Sequence, residues 1–138
     1  MITLLSDKNC EGHTRTLYHV LIREGWVELL NIQLATFKDV ELLETASDET
    51  VWVRCQERNC ILVTGNRTTT GSDDSLEMVT QRLLTESTLP VLTIGKLDKV
   101  IHDTNYREAC AESIALVIFE LSKFRGIPRL FIPFRFEL

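Results

Sequence analysis

The chain alternates between short apolar runs and longer stretches whose apolar residues recur every three or four positions. "ITLLS", Ile2 to Ser6, predicts a first strand. From Gly12 to Glu24, Leu17, Val20 and Leu21 keep helical spacing, and Gly25 follows as a stop. "WVELL" predicts a second strand. "TFKDVELLE" predicts a short helix capped by Thr36, and "SDETVWVRCQER" another capped by Ser47. "CILVT" is continuously apolar, as in a strand buried on both faces. "DSLEMVTQRLL" follows as a helix and "PVLTI" as a further buried strand. Thr104 then opens a long helix reaching about Phe124, in which Tyr106, Ala109, Cys110, Ile114, Val117, Ile118 and Leu121 repeat at three and four. Leu116 and Phe119 form a second apolar flank on it, suited to a partner subunit and hence to a homo-oligomer. Gly126 ends this helix, and "RLFIP" is the last strand, with "LFIPFRF" packing at a sheet edge.

Strands and helices in this order predict an α/β fold: a three-layer α/β/α sandwich with a mostly parallel central sheet. Ligands in such folds bind beyond the carboxyl ends of the strands. Three places qualify, after Ser6, after Thr64 and after Ile94.

Composition narrows the function classes. The 138 residues fit a single domain, 1–138, and 44% of them are hydrophobic, enough for a core. The net charge of −5 argues against a protein held to nucleic acid by general basicity. It leaves open an enzyme that meets phosphate through metal ions. Cys10, Cys55, Cys60 and Cys110 include no C-x-x-C pair and read as small buried thiols of a reducing compartment. The N-terminus lacks a basic region followed by a long apolar one, and the longest apolar run, "IALVIF", is far too short to span a bilayer. A soluble, cytoplasmic protein without a membrane partner is expected.

The stretch "ILVTGNRTTTGSDDSLE", Ile61 to Glu77, carries the candidate chemistry. A phosphate-cradling P-loop needs four residues between its glycines and a lysine after the second. Here five residues separate Gly65 from Gly71, and Ser72 follows. No G-x-S-x-G elbow occurs, and His13, His19 and His102 read as surface residues. Carboxylates remain. Asp7 lies just past the first strand, and Asp73 and Asp74 lie past "CILVT". Asp48 and Glu49 open the helix before that strand. If the first strand and "CILVT" are neighbours, Asp7, Asn66 and Asp73 or Asp74 share one crevice, with Asp48 joining from the helix. Clustered carboxylates need a cation, and hard oxygen ligands favour Mg²⁺ or Mn²⁺, which activate water in phosphodiester hydrolysis. Each acid also has a local explanation. Asp48 suits a helix dipole. Asp74 with Glu77 resembles a capping box. Asp7 followed by Lys8 and Asn9 fits a turn. The joint placement is what favours a site.

With these landmarks, "LLSDKN", "ASDETVWVRCQERNCILVTGNR" and "RGIPRLFIP", the chain resembles the PIN-like nuclease superfamily, in particular its small stand-alone bacterial members, over roughly residues 2–133. The resemblance implies a metal-dependent ribonuclease with Mg²⁺ or Mn²⁺ held by acids, often a toxin paired with an antitoxin-type protein, and often a dimer. It matches Asp7 to the first acid and Asp48 to the second, with Glu49 as substitute. The third acid, two residues after the strand's threonine, is here Asn66, a neutral ligand or water-positioning group. Asp73 or Asp74 then completes the set from a longer loop, or matches a fourth acid. Asp7, Asp48 and Asp73 are accordingly the expected catalytic residues, and Asp7, Asp48, Asn66, Asp73 and Asp74 the expected metal ligands.

The alternative is a catalytically inactive PIN-like module acting through protein partners or self-association. Arg67 separates the two: a nuclease would use it to hold the scissile phosphate of RNA, whereas a dead site would use it as the missing cation. Lys123, Arg125, Arg129 and Arg135 form a local basic stretch, which also suits a solvated helix end. Asp7→Asn is expected to abolish cleavage with folding nearly intact, as for a surface polar change.

Overall fold

In the computed structural model the chain is described over residues 1–65 and 72–134, with residues 72–75 described by backbone alone. Five strands, β1 (Ile2–Ser6), β2 (Ile32–Ala35), β3 (Cys60–Gly65), β4 (Val91–Ile94) and β5 (Arg129–Ile132), form one all-parallel sheet in the order β2-β1-β3-β4-β5. The helices are α1 (Glu11–Arg23), α2 (Trp26–Leu30), α3 (Asp48–Arg58), α4 (Ser72–Leu83), α5 (Leu97–His102), α6 (Thr104–Phe119) and α7 (Leu121–Phe124).

Strand alternation sorts the core into two halves. Leu4, Ile61, Val63, Leu92, Ile94 and Ile132 point to one face, covered by α1, α2, α5, α6 and α7. Leu5, Cys60, Leu62 and Val91 point to the other, covered by α3, α4 and the segment carrying Phe37, Val40 and Leu42. This is the three-layer α/β/α arrangement expected, and β1 and β3 are neighbours. The crossovers from β1 to β2, β2 to β3 and β3 to β4 share one hand, because the sheet direction and the covering face reverse together. The connection from β4 to β5 steps the same way as that from β3 to β4 but packs its helices on the opposite face. It therefore has the opposite hand, against a strong general preference. On the α3/α4 side of β5, Phe131 is 55% exposed.

Several predicted elements are corrected. "WVELL" is the one-and-a-half-turn helix α2, bracketed by Gly25 at φ +85° and Asn31 at φ +55°. The second strand is the following "IQLA". "TFKDVELLE" holds only a 3-10 turn at Lys38–Val40, and its anchor is Asp39, whose carboxylate accepts from the Thr36 N–H at 2.8 Å and the Thr36 hydroxyl at 3.1 Å. Those two bonds hold the Asp39 pKa below its ordinary value. The long C-terminal helix is two, α6 and α7, broken at Glu120 (φ −109°, ψ 37°). Its cap is Asp103, accepting from the Tyr106 N–H at 3.1 Å, not Thr104. The turns before it form α5. Ser47 does cap α3, accepting from the Thr50 N–H at 3.2 Å. Among the described residues no helix is long and apolar enough to cross a membrane.

Candidate functional site at the carboxyl ends of β1 and β3

From β1 the chain turns to α1 on one face of the sheet, and from β3 to α4 on the other. The carboxyl ends of β1 and β3 therefore flank the topological switch point, where open α/β sheets bind ligands. The parallel register sets Ser6 beside Val63, so Asp7 lies beside Thr64. Alternation then sends both side chains to the α3/α4 face, two residues beyond Leu5 and Leu62.

Asp7 is buried, with 4% of its surface exposed. Its Oδ2 accepts the Thr64 hydroxyl at 2.7 Å, and its Oδ1 accepts the Lys8 N–H at 2.8 Å. Its own N–H donates to the Val63 carbonyl at 2.9 Å. The turn at Lys8–Asn9 is present, but the expectation that Asp7 is a surface residue is corrected: it is a held, buried carboxylate, and its replacement is not a surface change. β3 is the middle strand of the sheet, with β1 beside it.

Asp48 is the first residue of α3, three and four residues before the buried Val51 and Trp52, which places it on the side of the helix that faces the sheet. Burial pushes the thiol of Cys55, one turn further on, upward. Cys60 and the Asp7 carboxylate add to the shift, so Asp7 acts electrostatically on the buried face of α3. Glu49, the substitute second acid, pairs instead with Arg82 of α4. Asp73 and Asp74 lie in the first turn of α4, at the same end of the sheet and in the same layer as Asp48. Because α4 begins at Ser72, Asp74 is inside the helix and not its N-cap. Asn66 and Arg67 lie outside the described residues.

Among the described residues no group of three or more His, Cys, Asp or Glu side chains comes together to hold a metal ion, and the candidates are oxygen donors of the kind a hard cation takes. Asp48 and the opening of α4 bring further carboxylate-bearing residues to the same rim. Asp7 and Asp48 are the protein groups that would hold Mg²⁺ or Mn²⁺.

A Cβ on Gly65 would stand 2.4 Å from Leu97 Cδ1, so this glycine serves the close approach of α5 to β3. The basic stretch is not a free patch. Arg129 Nε donates to Thr93 Oγ1 at 2.9 Å, Arg125 donates to the Ser87 carbonyl at 2.8 Å, and Lys123 pairs with Glu120 at 3.1 Å. Arg135 lies outside the described residues. All four cysteines are buried and unpaired with one another.

The sequence does not single out Thr64 as a site residue. Its signal was the shared parity of Cys60, Leu62 and Thr64, which becomes informative only once the β1–β3 register is known. Comparison with protein-family models, with curated protein sequences and with solved structures finds no match for this chain. The functional reading rests on the fold and on these residues.

Proposed function

We propose that the chain is a metal-dependent ribonuclease of PIN-like type whose centre is Asp7. One observation carries this reading: a buried carboxylate, hydrogen-bonded to Thr64 at the end of the neighbouring strand, stands at the switch point of a parallel sheet. Taking a carboxylate out of water is costly, and proteins keep such groups where a cation or a fixed set of donors uses them. Asp7 and Asp48, with Asp73 or Asp74 arriving from α4, supply the oxygen ligands. A bound Mg²⁺ or Mn²⁺ supplies Lewis acidity and a nucleophilic water for phosphodiester hydrolysis. Thr64 and the Lys8 amide fix the Asp7 carboxylate so that its geometry does not depend on the arrival of substrate.

RNA is the proposed substrate. A toxin-type role in the cytoplasm with an antitoxin-type protein partner belongs to the same reading. So does a dimer through α6, where Phe119 is 62% exposed. The test is incubation of single-stranded RNA with the purified protein and Mn²⁺, with and without a chelator, beside Asp7→Asn. The reading expects cleavage that requires Mn²⁺ and Asp7. RNA left intact by folded protein in the presence of Mn²⁺ would overturn it and leave an inactive binding or regulatory module.

A further inference from the structure

The carboxylate of Asp7 is held on the α3/α4 face, but the peptide that carries it is held from the other side. There, Ser6, Cys10 and Thr14 form a buried polar group between β1 and α1. Ser6 Oγ lies 3.0 Å from Thr14 Oγ1 and 3.1 Å from the Asp7 carbonyl. Thr14 Oγ1 donates to the Cys10 carbonyl at 3.0 Å, and the Cys10 N–H donates to the Asp7 carbonyl at 3.2 Å. Cys10 Sγ lies 3.5 Å from the Val63 carbonyl and 3.7 Å from the Asp7 carbonyl. The Val63 carbonyl is the one that accepts the Asp7 N–H.

These contacts have a common target. Apart from the contact between the Ser6 and Thr14 hydroxyls, each ends on the backbone of the β1–α1 turn or on the β3 carbonyl that anchors it. A purely space-filling site of this size would be met by alanine or valine, with no polar atoms to satisfy. Three hydroxyl or thiol groups there hold the turn at the Asp7 and Cys10 carbonyls. We infer that Cys10, together with Ser6 and Thr14, is a positioning residue for the Asp7 carboxylate, not simply a thiol of the core. The inference rests on the reading of Asp7 as the metal-holding residue for its functional meaning, but not for its geometry.

The test separates the two. The Lys8 amide donates to the Asp7 carboxylate, so its hydrogen exchange reports whether that carboxylate is in place, without any metal. Lys8 exchange, referenced to the Thr93 amide of β4, is measured in the parent protein and in Cys10→Ala, Cys10→Ser and Cys110→Ala. Cys110 is an equally buried thiol, on α6. Cys10→Ala is expected to speed referenced Lys8 exchange roughly fivefold, the equivalent of one ordinary hydrogen bond. Cys110→Ala should leave it unchanged, and Cys10→Ser, which keeps a donor, should lie near the parent. Mn²⁺ affinity should fall on the order of tenfold in Cys10→Ala, as when the support of a metal ligand is removed. Equal Lys8 exchange in the two alanine variants would overturn the inference. Faster Lys8 exchange in Cys10→Ala alone, in a parent protein that binds no Mn²⁺, would uphold it while sinking the metal site.

Discussion

Replacing Thr64 by valine removes one oxygen and keeps the shape of the side chain. The lost hydroxyl is fully buried and donates to the Asp7 carboxylate at 2.7 Å, a short, charge-assisted hydrogen bond. Such bonds contribute about 1.5–3 kcal/mol, and the buried carboxylate oxygen left behind loses that donor. Specific unfolding entropies give roughly 0.3 kcal/mol/K for a chain of this length, so the midpoint should fall by about 5–10 °C. Thermal unfolding followed by circular dichroism reads this directly. Thr93→Val is the control, because Thr93 pairs with Thr64 across β3 and β4, is equally buried, and meets Arg129 in place of a carboxylate. Combining Thr64→Val with Asp7→Asn closes a double-mutant cycle, whose coupling should exceed about 1 kcal/mol for groups in direct contact. A Thr64→Val loss under about 0.5 kcal/mol, or strict additivity in the cycle, would refute the held-carboxylate description.

Three further outcomes follow from single features. Ser47→Ala removes the cap of the helix that carries Asp48 and should cost about 1 kcal/mol in urea unfolding. Gly126→Ala should destabilise by about 1 kcal/mol or more, because φ is +87° and the new Cβ would lie 3.3 Å from Glu86 Cα. The thiols of Cys55, Cys60 and Cys110 are all pushed up by burial, that of Cys110 to about 12. The folded chain therefore holds protons that the unfolded chain releases near the ordinary thiol pKa. The stability they contribute is complete below about pH 8.5 and declines as pH rises toward 12. Urea midpoints measured from pH 7 to 11 should fall over the upper half of that range, and thiol reagents should react only on unfolding.

The long-range skeleton was legible because the responsible residues act locally. "CILVT" reads as a doubly buried strand, and it is one, with every residue from Cys60 to Gly65 buried. Ser47 reads as a cap because its hydroxyl reaches a donor three residues away, with no tertiary help. "WVELL" misled because five residues are too few to display a helical period. Trp26, Val27 and Leu30 pack on the core while Leu29 faces solvent, and aromatic and β-branched composition favours a strand in isolation. The break at Glu120 has no glycine or proline to announce it. For the site, strand ends placed Asp7 correctly along the chain. Its burial, its bond to Thr64 and the polar support around Cys10 depend on the β1–β3 register, which no local pattern carries.

Calorimetric titration of Mn²⁺ into the parent protein and into Asp7→Asn, after both are shown to be folded, probes the site itself. The account predicts saturable binding in the micromolar to low millimolar range that disappears in the variant. Absence of binding to the folded parent, or equal binding by both proteins, would contradict it.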